Sequence, residues 1–278
     1  IFCSIMYPIV ANWVWNPNGW LALRGFNDFA GSAAVHTMGG IAALAAAIVL
    51  GPRLGKYNKN GSANIIPGHN LPLAATGGFI LWFGWFGFNP GSTLAAVGNW
   101  ELIGIVVVNT FLASAAGGIS TMIYTYFSYG KIDITMVING ILAGLVAITA
   151  GCNVVDPLSA IVIGIFAGVL VDLGVIYIDK LKIDDPVGAI AVHGINGIFG
   201  TIAVGLFASN GGLFFGGGVS LLVTQCIGVL TIAIFSFIVT FIIMKLLKNT
   251  IGIRVSREDE IAGIDSASFG VKSYSTYE

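Results

Sequence analysis

The chain has 278 residues, of which 56% are apolar and 9% charged, and its formal net charge is −1. Soluble globular chains carry about 25% charged and 45–50% apolar residues, so this composition excludes an ordinary soluble enzyme. The small net charge does not favour a nucleic-acid partner, and the apolar excess predicts an all-α, polytopic membrane protein.

The predicted elements begin with a short apolar segment at residues 1–14. This segment lacks the charged start and small-residue cleavage site of a signal peptide, so we expect it to be the remnant of a transmembrane helix. Seven full spans follow, because about 20 uncharged residues suffice to cross a bilayer. Three lie between charged residues, at 28–53, 101–131 and 133–156; the others fall at 59–101, at about 157–178, and, on either side of a turn at 209–218, within 185–245.

The alternation of spans places eleven of the twelve basic residues on one side of the membrane and leaves Arg24 on the other. The eleven are Arg53, Lys56, Lys59, Lys131, Lys180, Lys182, Lys245, Lys248, Arg254, Arg257 and Lys272. Basic residues accumulate on the cytoplasmic side of membrane proteins. We therefore expect a multi-pass protein of the cell membrane, with a membrane domain at 15–248 and a cytosolic tail at 249–278.

Small residues inside the spans indicate close helix packing. Gly140 and Gly144 lie four residues apart, as do Gly164 and Gly168, a spacing that lets helix backbones approach one another. The three cysteines lie far apart in apolar surroundings with no metal-binding spacing, so no disulfide, metal or cofactor is expected.

An internal repeat links two of the predicted spans. DFAGSAAVH, from Asp28 to His36, recurs as DPVGAIAVH, from Asp185 to His193. The predicted topology brings the first copy into the membrane from outside and the second from the cytoplasm, which is the inverted repeat typical of transporters. Eight helical residues at 1.5 Å each place each histidine about 12 Å beyond its aspartate, near the centre of the bilayer.

The repeated residues suggest two roles. Each aspartate lies where a helix begins and is expected to cap its free N–H groups. Histidine is the side chain that changes charge near neutral pH, and ionisable groups inside a membrane tend to mark a pathway, so the repeated pair His36 and His193 indicates function. Asp172 is also intramembrane by position but has no counterpart in the repeat.

The order of the motifs resembles that of the ammonium transporter (Amt/Mep/Rh) family. Besides the two repeat segments, the chain contains HNLPLAATGGFILWFGWFGFNPGS at 69–92, NGILAGLVAITAGC at 139–152, HGINGIFG at 193–200 and TIGIRVS at 250–256. The family fold has eleven helices. The resemblance implies that this chain supplies the end of helix 4 and helices 5 to 11, and is N-terminally truncated by about three and a half helices.

The resemblance also implies a site and a mechanism. Ammonium would be recruited by the ring of Trp15 and the hydroxyl of Ser92, above a gate containing Phe88; Trp13 remains an alternative to Trp15. Ammonium would then lose a proton and pass as ammonia along an apolar pore lined by His36 and His193, with the route of the proton left open. Asp28, in addition to its capping role, would stabilise the cation in the outer vestibule.

Family resemblance further implies a homotrimer and a PII-type regulatory protein at the cytosolic face. The tail departs from the family pattern at Ser268 and Phe269, where an acidic residue and histidine are usual.

Two alternatives to transport remain: a nontransporting ammonium sensor, and a membrane protein in which the two histidines bind a haem iron from both sides. The chain is not expected to be an enzyme, although the haem-binding alternative would make it an enzyme or an electron carrier.

Overall fold

The computed structural model describes residues 1–272 and 274, and this part of the chain is built of helices joined by turns. We number the helices in chain order: α1 Phe2–Trp15, α2 Ser32–Leu50, α3 Leu71–Phe88, α4 Trp100–Tyr129, α5 Ile134–Ile148, α6 Pro157–Lys180, α7 Ile190–Phe207, α8 Ser220–Thr250, α9 Arg257–Ala262 and α10 Ile264–Phe269. The all-α prediction is confirmed.

Six of these helices are long and apolar enough to cross a membrane: α2, α3 with its extension to Thr93, α4, α6, α7 and α8. The prediction of a polytopic membrane protein is therefore confirmed. The other two apolar helices, α1 and α5, are shorter. With 15 residues, α5 is about 22 Å long, less than the ~30 Å apolar thickness of a bilayer.

The chain beyond α5 is non-helical yet mostly buried, at residues 149–155. Non-helical backbone inside a bilayer is stable only when protein surrounds it and its polar groups are bonded. The side-chain amide of Asn109 in α4 donates to the carbonyls of Cys152 (2.9 Å) and Val155 (2.8 Å). These bonds replace the helical hydrogen bonds that this segment lacks.

Glycines allow α5 and α6 to pack closely against α4. Gly140 and Gly144 of α5, and Gly164 and Gly168 of α6, each lie so close to α4 that an added Cβ would overlap its backbone or a hydroxyl group. The predicted close packing of both glycine pairs is confirmed, and α4 is the partner of both.

Two further glycines set the distance between α2 and α7. Gly40 lies against the backbone of Gly194, and a Cβ added at Gly197 would lie 2.6 Å from the carbonyl oxygen of Ser32 and from the hydroxyl of Thr37. Gly40 and Gly197 each lie four residues after their histidine. The two copies of the inverted repeat therefore cross each other at equivalent positions.

Both crossing helices begin later than the repeat suggests. α2 begins at Ser32, four residues after Asp28, and α7 begins at Ile190, five residues after Asp185. Gly31, just before α2, has φ of 112°, a left-handed conformation that suits glycine and that no α-helix contains. The estimate of eight helical residues between each aspartate and its histidine is therefore wrong, and the histidines lie in the first turns of their helices.

Several basic residues gather at one end of the bundle, which we call the basic end. Arg53, after α2, forms a bidentate ion pair with Asp184, before α7: its guanidinium nitrogens lie 2.7 and 2.8 Å from the two carboxylate oxygens. Lys56 pairs with Asp179 of α6 (2.9 Å), and Lys248 donates to a carbonyl in the last turn of α2 (2.8 Å). The ends of α2, α6 and α8 and the start of α7 are thereby held together.

The glycine crossing makes a testable prediction about stability. Gly40→Ala is expected to destabilise the protein by about 1–3 kcal/mol, because the added methyl group overlaps the backbone of Gly194. Gly39→Ala is the matched control, since a Cβ at Gly39 has no atom within 4 Å. The melting temperatures of the two purified variants test this, and equal values would contradict the crossing.

The ion pair at the basic end predicts a pH dependence. Burial works to raise the pKa of Asp184, but the hydrogen bonds from Arg53 outweigh it and hold this pKa below its usual range. A carboxylate with a lowered folded-state pKa contributes stability above its unfolded pKa of about 4, and loses it as the pH falls through the folded value.

Arg53→Ala is accordingly expected to cost about 1–3 kcal/mol at pH 7, because it leaves the buried Asp184 without its partner. The difference from the unmodified protein should shrink as the pH falls from about 4, the unfolded pKa, through the lower pKa at which folded Asp184 takes up a proton. Thermal unfolding at pH 7 and through this lower range measures this, with Lys59→Ala in the same loop as the control. A difference that does not change with pH would refute the assignment.

Candidate functional site

His36 and His193 come together where α2 and α7 cross. Their Nδ1 atoms lie 3.2 Å apart, within hydrogen-bond distance. The two rings are nearly parallel, with an interplanar angle of 19° and centroids 5.2 Å apart. His36 is buried and His193 partly buried. The structure thus brings into contact the two residues that the repeat singled out.

The Nδ1 contact restricts where the protons of the pair can lie. One Nδ1 must carry a hydrogen and the other must accept it, because two N–H groups or two lone pairs do not bond. When both rings are neutral, the donor ring has a lone pair at Nε2 and the acceptor ring has an N–H there. Nε2 of His36 is buried and has no hydrogen-bond partner among the described residues. One polar atom of the pair, Nε2 of His36, is therefore available to form a hydrogen bond with a small molecule.

Both histidines lie in π-helical turns, Ser32–Thr37 and Ile190–Ile195. π turns are rare, and they occur frequently at functional sites. The sequence repeat predicts equivalent positions for the two histidines but not this backbone, because no residue pattern in the repeat distinguishes a π turn from an α turn.

Asp28 and Asp185 bind the backbone at the starts of these turns. Asp28 accepts three N–H bonds of 2.8–3.1 Å from residues at the start of α2. Asp185 accepts two, from Ala189 (2.9 Å) and Ile190 (2.7 Å). Bonds of this kind satisfy the free N–H groups of a helix start. Asp28 is fully enclosed, whereas Asp185 is partly exposed.

Two aromatic rings of α3 cover His36. Trp85 stacks on its imidazole with centroids 5.0 Å apart and an interplanar angle of 16°, and the ring of Phe88 lies 5.7 Å away. The Nε1–H of Trp85 donates to the hydroxyl of Thr149 (3.1 Å), which holds the indole in place. Phe88 is predicted from the sequence and Trp85 is not, although residues three apart share a helix face and this spacing points to Trp85.

The predicted recruitment residues lie on separate segments. Trp15 donates its Nε1–H to the backbone carbonyl of Asp28 (2.7 Å) and remains 39% exposed. Ser92 donates its hydroxyl hydrogen to the carbonyl of Phe88 (3.0 Å). Within the described part of the chain, no ring contact joins Trp15 to Phe88. Trp15 is thus connected to the start of α2, and Ser92 is connected through Phe88 to His36.

Trp13, the alternative to Trp15, packs inside the protein. Its ring lies 5.0 Å from that of Phe235 and 6.1 Å from that of Trp20, and its surroundings belong to an apolar cluster. Trp15 has a ring contact with Tyr7 alone, at 6.4 Å, among the residues described. Trp15 therefore has the more accessible ring face.

The histidine pair does not fit a haem iron. A metal bound between two imidazoles, with bonds of about 2 Å on each side, needs about 4 Å between the two nitrogens. The Nδ1 atoms are 3.2 Å apart and the rings are stacked rather than end to end. Among residues 1–272 and 274, no group of three or more His, Cys, Asp or Glu side chains is arranged to hold a metal ion.

Comparison with known proteins identifies relatives of the whole chain. The family model described as Ammonium Transporter Family matches residues 1–274. Ammonium transporter Amt2 of Archaeoglobus fulgidus is 43% identical over 300 residues, covering 100% of this chain and 63% of the relative. The chain therefore spans less than two thirds of the length of this relative.

Solved structures share the fold. The protein named Sensor Amt Protein superposes with a TM-score of 0.90 at 44% identity, covering 96% of this chain and 67% of the other. Mep2 of Candida albicans superposes with a TM-score of 0.84 at 31% identity, covering 93% of this chain and 59% of the other.

Proposed function

The chain belongs to the ammonium transporter family, and on this basis we propose that it forms part of a membrane path for ammonium and ammonia. The observation that carries the proposal is the buried histidine pair, with its Nδ1 atoms 3.2 Å apart and one Nε2 unsatisfied. The relative from Archaeoglobus fulgidus is named an ammonium transporter, which supports transport rather than enzymatic catalysis.

Recruitment of ammonium begins at Trp15 and Ser92 in this proposal. An aromatic face attracts a small cation by about 0.5–2 kcal/mol, and the exposed part of the Trp15 ring is available for that contact. The hydroxyl of Ser92 uses its hydrogen on the carbonyl of Phe88, which leaves its oxygen lone pairs free to accept an N–H of ammonium. Potassium has no hydrogen to donate, so this site favours ammonium.

Passage below Phe88 requires the ammonium ion to lose a proton. The rings of Trp85 and Phe88 make the approach to His36 apolar, and a bare ion there loses its hydration without compensation, whereas neutral ammonia does not. Ammonia both donates and accepts hydrogen bonds, so it pairs with Nε2 of either tautomer of the histidine pair. The same pair offers a relay for the released proton.

The basic end is cytoplasmic in this proposal, because basic residues favour that side. Residues 1–14 and 15–248 then belong to the membrane part of a cell-membrane protein, and residues 249–278 form a cytosolic tail. Asp28 lies next to Trp15 on the outer side, where its charge also favours the arriving cation. Asp185 has the equivalent place near the cytoplasmic side.

Family membership also supports a homotrimer and a PII-type partner at the cytosolic face. The tail is folded against the basic end: Glu260 accepts the backbone N–H of Leu54 (2.8 Å) and pairs with Arg254 (2.8 Å). Ser268 and Phe269 lie exposed on α10, where they would contact such a partner.

An ammonium sensor is the second candidate. It is favoured by one observation, the similarity at 44% identity to a solved protein named as a sensor. In a sensor, Trp15 and Ser92 bind ammonium but the histidine pair passes none. Ammonium binding without uptake by cells that make the full-length protein would favour the sensor.

The histidine pair is tested by uptake of methylammonium into cells that make the full-length protein. His36→Ala and His193→Ala are each expected to lower uptake about 5- to 13-fold, because each removes a hydrogen bond of about 1–1.5 kcal/mol from the path. His69→Ala, at the third histidine, is the control and should transport normally. Undiminished uptake by both pore variants, at equal amounts of protein in the membrane, would remove the role proposed for the pair.

The recruitment site is tested by separating KM from Vmax. Trp15→Leu is expected to raise the KM for methylammonium about 2- to 30-fold, the equivalent of a lost cation–π contact, while Vmax is largely retained. Trp13→Leu should lower the melting temperature instead, because Trp13 packs against Trp20 and Phe235. A raised KM in Trp13→Leu with none in Trp15→Leu would reverse the assignment.

A further inference from the structure

One carboxyl group inside the membrane takes no part in the proposed path. Asp172 lies in α6 and is only 2% exposed. Its Oδ2 is enclosed by protein, and no hydrogen bond or ion pair reaches Asp172 from the described residues. Eight residues separate it from Lys180 at the helix end, a depth of about 12 Å. An ionisable group at such a depth calls for a functional explanation.

The contacts of two glycines in α6 show which part of α4 lies next to Asp172. Gly164, Gly168 and Asp172 follow one another at four-residue intervals and share one face of the helix. Gly164 packs on Ala113 of α4, and Gly168 packs on Gly117 four residues later, so the two helices run parallel. If the four-residue spacing of these contacts continues, Asp172 lies beside the turn of α4 that follows residue 120.

The histidine path lies on another face of α6. Gly174, which touches α7 at Ala191 and Ile195, follows Asp172 by two residues. Two residues correspond to a rotation of about 200° around a helix. Asp172 therefore faces away from α7, and its surroundings are those of the seam between α4, α5 and α6.

The described threonine hydroxyls of α4 in this seam accept hydrogen bonds but have no hydrogen left to donate to Asp172. The hydroxyl of Thr121 donates to the carbonyl of Gly168 (2.9 Å), and that of Thr125 donates to the carbonyl of Thr121 (3.0 Å). A hydroxyl has one hydrogen, so both groups have only lone pairs left to offer. An ionised carboxylate in these surroundings would be neither bonded nor paired.

The other titratable groups near Asp172 do not supply a positive charge. From α4 they are Tyr124 and Tyr129, and from the start of α5 there is Asp133, which interacts electrostatically with both Tyr129 and Asp172. One oxygen of Asp133, Oδ1, accepts the N–H groups of Thr135 and Met136 at the start of α5. A metal ion would need further ligands, and no group of three or more His, Cys, Asp or Glu side chains in the described residues could hold one; a proton needs none.

We propose that Asp172 is a proton-binding site, separate from the histidine pair, whose carboxylic acid hydrogen is donated to an oxygen of α4. Loss of this proton in alkali leaves an unpaired negative charge beside Asp133 in the seam and weakens the contact of α4 with α6. The site therefore makes the packing of this half of the bundle sensitive to pH without the involvement of His36 or His193.

Infrared spectroscopy of the purified protein in lipid nanodiscs tests the protonation directly. The carbonyl stretch of a neutral carboxylic acid is distinct from the bands of a carboxylate. The spectrum at neutral pH is expected to contain such a band that is lost in Asp172→Asn and kept in Asp179→Asn, a matched change on the same helix at a residue paired with Lys56. No band lost specifically in Asp172→Asn would overturn the proposal.

Melting temperature as a function of pH provides a second test. The folded protein holds a proton that the unfolded chain releases above about pH 4, so rising pH favours unfolding. The melting temperature should therefore fall with rising pH in the unmodified protein and in Asp179→Asn, and this fall should be smaller in Asp172→Asn. Equal pH dependence in all three proteins contradicts the site. Failure of Asp172→Asn to fold also contradicts it, since asparagine has the shape and neutrality of the acid.

Discussion

The arrangement of the site depends on the close approach of two helix backbones. Because Gly40 and Gly197 lack side chains, α2 and α7 cross nearly in contact, and the Nδ1 atoms of His36 and His193 come within 3.2 Å. A larger residue at either glycine would separate the rings. The remaining contacts act around this crossing: the aspartates satisfy the helix starts, Trp85 holds one imidazole, and the ion pair of Arg53 with Asp184 ties the end of α2 to the start of α7.

The sequence was sufficient to predict the helical membrane fold and the inverted repeat, and the repeat singled out the two histidines that meet at the helix crossing. These predictions rest on composition and on a repeated pattern, both of which can be read directly from the amino-acid sequence. The late helix starts, the π turns and the early end of α5 were not predictable in this way, because they depend on partners distant in the chain. Asn109, for example, supplies the bonds that allow residues 149–155 to remain non-helical.

Three aspartates within the bundle show why residue type alone does not assign a role. Asp28 is buried but accepts three backbone N–H bonds, and Asp185 accepts two at a partly exposed position. Asp172 is buried with none. Hydropathy identifies all three as unusual, and only their hydrogen-bond partners separate the two that hold helix starts from the one that needs another explanation.

The paired π turns have a consequence for how homologous chains are aligned. A π turn closes its hydrogen bond over five residues instead of four, so it contains one residue more than an α turn. Removing one residue from Ser32–Thr37 would close this turn to α geometry, and the helix on either side would keep its orientation, because the extra residue is accommodated within the turn itself. A one-residue gap at either turn is therefore a local change: it alters the turn that carries the imidazole and leaves the neighbouring turns in register.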